Sequence, residues 1–239
     1  MSRDPLDQLF LAPTDAPEPK RLELIERLIT GSLRPVRSLP SDPVLVAIFV
    51  TVFTVFAIVA TMPFGFLGFR VWEPLQRFMI YGVISICAFF LATTIVGQMI
   101  PGSKRKHDPW RVILRSLLYL IAITLVVFQD FDRTRFVERG VPCLRLGSVC
   151  AAVAAVCVYA ILRKGFVTSM VQAGAVTGAF AGLAGIAVLA LHCPIQSAAH
   201  VLTWHLSVML LGVACGAILA FCNQNFLLPN SPFRRTLKS

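Results

Sequence analysis

Six long apolar stretches dominate this chain, at about 44–62, 78–100, 112–128, 146–162, 170–191 and 201–222. One charged side chain, Arg115, lies within them, near the start of the third, and none contains Asp or Glu. A helix that crosses the roughly 30 Å hydrocarbon layer needs about 20 residues, within a range near 17–25. All six stretches meet that requirement. Membrane β-strands would be about 10 residues long with alternating polarity, a pattern absent here. The 239 residues could make one or two soluble domains, but charged residues are only 14% of them, against roughly 25% in soluble proteins. The expected fold class is all-α: a polytopic membrane protein with six transmembrane helices in a compact bundle.

The net charge of +10 comes from 22 Lys and Arg against 12 Asp and Glu. In a soluble protein this excess would suggest nucleic acid; here it flanks apolar runs and sets topology. With the N-terminus inside, the inner segments hold 15 Lys and Arg and the outer ones 6, which predicts N-in, C-in. Lys104-Arg105-Lys106 is the strongest inner marker, while Arg133, Arg135 and Arg139 dissent in company with Asp130, Asp132 and Glu138. No direct contact with nucleic acid is expected; the lipid bilayer is an expected partner.

Three regions follow. Residues 1–43 form a cytoplasmic N-terminal segment, 44–222 the six-helix transmembrane domain, and 223–239 a cytoplasmic tail. No apolar core lies near Met1, so no cleavable secretory signal is expected. The proline-bearing start reads as disordered. After it Leu22, Ile25, Leu28 and Ile29 recur at helical spacing, with Glu23, Glu26 and Arg27 opposite. Gly31 and Pro35 end this short amphipathic helix. With Leu33 and Arg34 it offers an apolar ridge that can dock in a partner's groove. It could also lie on a membrane surface, although seven acids against six bases in 1–43 make anionic lipid a poorer match.

The fifth stretch is rich in small residues. Gly174, Gly178, Gly182 and Gly185 are spaced for one face of a helix, and Gly212 and Gly216 repeat the pattern on the sixth. Close helix packing is the expected use, and the short connection makes the two helices neighbours. Intramembrane carboxylates of the kind that ion-coupled transporters use are missing. No Walker loop, dinucleotide fingerprint, H-E-x-x-H or Gly-x-Ser-x-Gly motif occurs. The chain is therefore not expected to be an enzyme. A small-solute transporter or a membrane thiol oxidoreductase are the alternatives, the second weakened by the lack of a C-x-x-C pair.

Of seven cysteines, Cys87, Cys150, Cys157, Cys215 and Cys222 lie in or beside apolar runs and read as small hydrophobes. Cys143 and Cys193 fall on the outer side in the N-in topology. Cys143 ends the third connection; His192-Cys193-Pro194 ends the fifth helix; His200 and Trp204-His205 open the sixth. Thiolate and imidazole are metal ligands, and an outer cysteine pair could equally form a disulfide. In a regular helix His200 and His205 do not share a face, so at most one should join the cysteines. Trp204 and His205 also suit interfacial anchoring. Cys143, Cys193 and His192 are the candidate metal ligands, and Cys143, Cys193, His192, His200 and His205 the candidate signal-sensing residues. No cofactor is obligatory; a transient heavy-metal ion at Cys143 and Cys193 is the one guest expected.

Several short pieces match a known family in their order and positions. They are Leu28-Ile29-Thr30-Gly31-Ser32-Leu33-Arg34-Pro35-Val36-Arg37, Gly140-Val141-Pro142-Cys143-Leu144, the Leu162-Arg163-Lys164-Gly165 turn, the glycine-rich fifth helix, and His192-Cys193-Pro194 followed by Trp204-His205. Together they resemble the NrsF type of integral-membrane negative regulators of extracytoplasmic-function sigma factors, over roughly residues 21–222. The likeness implies an anti-sigma factor in the bacterial inner membrane, which holds an extracytoplasmic-function sigma factor and releases it on an outer-side redox or heavy-metal stress. It also implies that Cys143 and Cys193 are the family's paired cysteines.

Overall fold

The computed structural model describes Glu26 and residues 40–100, 108–132, 134–162, 165 and 169–223. The chain divides into two units, Met1–Leu39 and Pro40–Ser239; of the first, Glu26 alone is described, and it is helical. The expected amphipathic helix with Leu22, Ile25, Leu28, Ile29, Leu33 and Arg34 lies outside the described residues, as do 224–239 and most of the connections around 104 and 166.

Among the described residues, six helices of the second unit are long and apolar enough to cross a membrane. In chain order the elements are α1 (Asp42–Thr61), a short α2 (Leu67–Val71), α3 (Pro74–Met99), α4 (Pro109–Val127), α5 (Phe136–Leu162) and α6 (Met170–His192). The sixth span begins with α7 (Ala198–His200), passes through a π-helical turn, Val201–His205, and continues as α8 (Leu206–Cys222). The all-α membrane bundle expected from the apolar runs is present.

Local sequence sets several helix starts. The Glu73 N–H bonds Gln76 Oε1 at 3.1 Å in a capping box, with Pro74 beginning α3. The Asp108 carboxylate accepts from the Trp110 N–H at 2.9 Å, with Pro109 beginning α4. A side-chain acceptor satisfies an orphan amide, and proline is tolerated where no helical donor is needed.

One helix is the axis of the bundle. α6 packs against α8, α5, α3, α1 and α4, and 89% of its apolar window is buried. The other spans turn broad apolar faces outward, as lipid demands. α1 shows the contrast: Leu45, Phe49, Phe53 and Ala57 form a buried stripe at every fourth residue, while Val55, Ile58 and Val59 are exposed. Phe180 of α6 meets that stripe, edge-on to Phe49 with ring centroids 6.1 Å apart and tilted against Phe53 at 5.3 Å.

The glycines divide their work between two neighbours. A Cβ on Gly174 or Gly178 would strike backbone atoms of Gly216 or Gly212, and one on Gly182 would strike Met209. Gly185 instead faces the backbone of Gly147 on α5. The four glycines of α6 therefore serve two partners rather than the single one that their common face suggested.

Two further expectations change. α5 starts at Phe136 rather than near 146, so Cys143 stands on a helix instead of ending a loop. Glu138, Arg139, Pro142 and Arg145 lower the local hydropathy, yet exposed charge does not prevent helix formation, and Glu138 pairs with Arg135 at 4.0 Å. Pro142 merely removes the amide that would reach the Glu138 carbonyl. The π turn is the second change, and it shapes the site.

Candidate functional site

The connections 62–73, 128–132 and 193–198 interlock over one end of the bundle. The Ala198 N–H donates to the Asp130 carbonyl at 2.7 Å, and the Ser197 hydroxyl to the Asp132 carbonyl at 2.9 Å. Gln196 Nε2 reaches the Val71 carbonyl at 3.3 Å. Gly68 lies so close to the Ala190 and Cys193 carbonyls that a Cβ there would overlap them. Trp72 stacks on Tyr81, centroids 5.9 Å apart, and meets Phe128 at 5.6 Å.

Beneath this closure lie the two cysteines. Cys193 is the residue at which α6 stops: its N–H still bonds the Leu189 carbonyl at 2.7 Å, and Pro194 cannot extend the ladder. Its side chain is 2% exposed. Cys143 projects from α5, half-buried, and its Sγ lies 3.7 Å from Cys193 Sγ. The sulfurs are free thiols in hydrogen-bond contact, well beyond the disulfide length of about 2.05 Å. That contact, followed by burial, holds the Cys193 thiol above its ordinary pKa.

Both of the sixth span's histidines join them. His200 Nε2 is 3.7 Å from Cys193 Sγ, and the His200 and His205 ring centroids are 5.3 Å apart. One ligand atom from each of Cys143, Cys193, His200 and His205 falls within 4.8 Å of the other three. The expectation that at most one histidine could face the cysteines is overturned by the π turn. Residues five apart on an α-helix point about 140° away from each other. The i→i+5 bonding of a π turn stacks them on one face, and the turn Val201–His205 lies immediately after His200. Trp204, within the turn, packs over Gly140 on α5, where any Cβ would overlap its indole. Gly140 is one helical turn before Cys143, so this contact sets α5 against the histidine-bearing span. The sequence held that signal in Gly140, three residues before Cys143, but its partner lies more than 60 residues away.

His192 stands apart. Its Nδ1 is 3.1 Å from the Gly65 carbonyl, in a turn where Gly65 has φ of 81°, and its ring packs near Phe64 at 5.8 Å. The expected trio of Cys143, Cys193 and His192 is thus replaced by two sulfurs with His200 and His205.

The donor set fits a metal ion. Two sulfurs each about 2.3 Å from a tetrahedral ion lie about 3.8 Å apart, close to the 3.7 Å found. His205 is 2% exposed, and its Nε2 has no hydrogen-bond partner; buried polar atoms are seldom left so. These residues would hold a soft or borderline cation, whose chemistry there is ligation. A cavity of about 280 Å³ reaches the cluster, with Asp130, Asp132, Arg139, Ser197 and His200 in its wall.

The family described as NrsF, negative regulator of sigma F, matches residues 30–222. No curated protein and no solved structure matches the chain.

Proposed function

We infer the function from the family: the chain belongs to the NrsF family of negative regulators of sigma F, whose match covers residues 30–222. It is a multi-pass membrane anti-sigma factor, a regulator rather than an enzyme, and its partner is an extracytoplasmic-function sigma factor. The length of that match carries the conclusion.

Four finer statements are our own reading. The first is location. Sigma factors act on bacterial RNA polymerase in the cytoplasm, so the chain belongs in the inner membrane with its sigma-binding parts inward. The second is orientation: the 15-to-6 bias of Lys and Arg favours N-in, C-in, and this puts the Cys/His end outside. The third is the contact. Leu22, Ile25, Leu28, Ile29, Leu33 and Arg34 form the sigma-binding ridge on the cytoplasmic segment 1–43, tethered to the transmembrane domain 44–222, with 223–239 as an inner tail. The fourth is the signal. Cys143 and Cys193, flanked by His200 and His205, receive a redox or heavy-metal stress. Their reaction changes how α5 packs on α6 and α8, and that change reaches the inner face. A 100-fold loss of sigma affinity requires roughly 2.7 kcal/mol of coupling.

Co-purification tests the contact. The full chain should retain its sigma factor after solubilisation, and a chain lacking residues 1–37 should not. Equal retention by both would move the contact to the inner connections or the tail. Retention by neither, from well-folded protein, would overturn the anti-sigma assignment.

A further inference from the structure

We propose that Cys143, Cys193, His200 and His205 form one tetrahedral site for a divalent, closed-shell cation of the zinc and cadmium type. The proposal rests on the reading that the thiol pair receives the signal, and it specifies what the pair receives.

Three observations lead there. The four ligand atoms already lie within 4.8 Å of one another, and their carriers come from three places in the chain: α5, the end of α6, and the π turn with its preceding residue. A cluster assembled from three elements and held by a π turn is costly to build without a use, since π turns concentrate at functional sites. His205 then supplies a buried, unpartnered Nε2. Finally, the cavity beside His200, with Asp130, Asp132 and Arg139 in its wall, gives an ion a polar route to the cluster.

Charge selects the class of ion. Two thiolates and two neutral imidazoles carry a net charge of −2. A divalent ion brings the filled site to zero, whereas a monovalent ion leaves it negative and a trivalent ion leaves it positive. At the end of an apolar bundle a residual buried charge is heavily penalised. Two sulfur and two nitrogen donors in tetrahedral array suit a zinc-like ion, whereas magnesium and calcium require oxygen. Binding is ligation without electron transfer. Each sulfur that is a thiol loses its proton to water as its bond to the ion forms.

Cobalt(II) is the probe. The reduced full chain in detergent should take up one equivalent, with thiolate-to-cobalt charge transfer in the near ultraviolet and intense tetrahedral bands in the visible. Zinc should bleach both. His200→Asn and His205→Asn should each keep the charge transfer, lose the tetrahedral bands and bind at least about 10-fold more weakly. His192→Asn should titrate like the parent. X-ray absorption of the zinc-loaded parent needs no variant, and should show two sulfur and two nitrogen ligands. Histidine variants that titrate like the parent, a shell without nitrogen, or a parent without charge transfer would each overturn the site. The underlying reading is tested separately, by sigma retention in Cys143→Ser cells under cadmium or oxidant. If that variant releases sigma like the parent, the thiol-pair reading fails whatever cobalt shows. If it holds sigma while the cobalt result fails, only the tetrahedral site falls.

Discussion

α6 meets the sixth span in two ways along its length. Through its middle, Gly174 and Gly178 abut the backbone of Gly216 and Gly212, and Gly182 abuts Met209. Nothing polar is needed there, because small residues let the backbones approach until dispersion and shape complementarity hold them. At its end the contact opens. Cys193 Sγ meets Cys143 Sγ and His200 Nε2 at 3.7 Å, and polar atoms of Trp204 and His205 are buried without partners. The first region spends its sequence on closeness and the second on unfilled bonding capacity. The glycine seam fixes where the helices are, so that the polar end can hold its ligands without collapsing.

That contrast can be broken at the seam. Gly178→Val puts a branched side chain onto the Gly212 carbonyl, and backbone cannot move aside as a side chain can. Overpacking costs about 1–3 kcal/mol in ordinary cores, and this site should exceed that range. The readout is loss of monodisperse protein and earlier unfolding in denaturing detergent. A folded Gly178→Val chain of parental stability would mean that the seam is loose.

The polar end should respond the opposite way. Inserting an alanine after the exposed Thr203 places His200 and His205 six residues apart. A regular helix then points them about 120° away from each other. The tetrahedral cobalt spectrum should vanish while the helical circular dichroism and the glycine seam survive. An insertion variant that kept the spectrum would show that the spacing across the π turn does not organise the ligands.

Titration provides a smaller effect. Cys193 binds its proton more tightly in the folded protein than the ordinary thiol value of 9.0. The stability this contributes is complete below about pH 9, and is lost as pH rises through the folded value. The metal-free, reduced parent should therefore weaken above pH 9 more steeply than Cys193→Ala, read by detergent unfolding across pH. Equal slopes would remove the contribution of the thiol contact.

The smallest effect belongs to the clamp around the site. Tyr81 donates its hydroxyl to the Ala190 carbonyl at 3.2 Å. Tyr81→Phe should cost about 0.5–1.5 kcal/mol, with the cobalt spectrum unchanged. A change in the spectrum would place the clamp within the ligand geometry.

Much of this was legible residue by residue. The apolar runs marked six helices, Pro74 and Pro109 marked two starts, and Gly174, Gly178, Gly212 and Gly216 marked a close contact. The start of α5 was hidden because Arg139, Pro142 and Arg145 break its hydropathy without breaking its backbone. His192 looked like a ligand because it adjoins Cys193 in sequence. At the end of a helix, adjacent side chains leave in different directions, and His192 turns toward Gly65.

By itself, then, the sequence determined that the chain is a bundle of six membrane-length helices with two outlying cysteines and a histidine-rich turn. Run length and composition decide this, because transfer of a helix into lipid depends on its own residues. Tertiary structure alone decided that Cys143 and Cys193, 50 residues apart, meet with both His200 and His205. Their meeting depends on the interlocked connections, on Trp204 seated over Gly140, and on a π turn that a regular-helix rule does not anticipate. Such irregularities are set by what packs against a helix, and the packing partners lie far away in the chain.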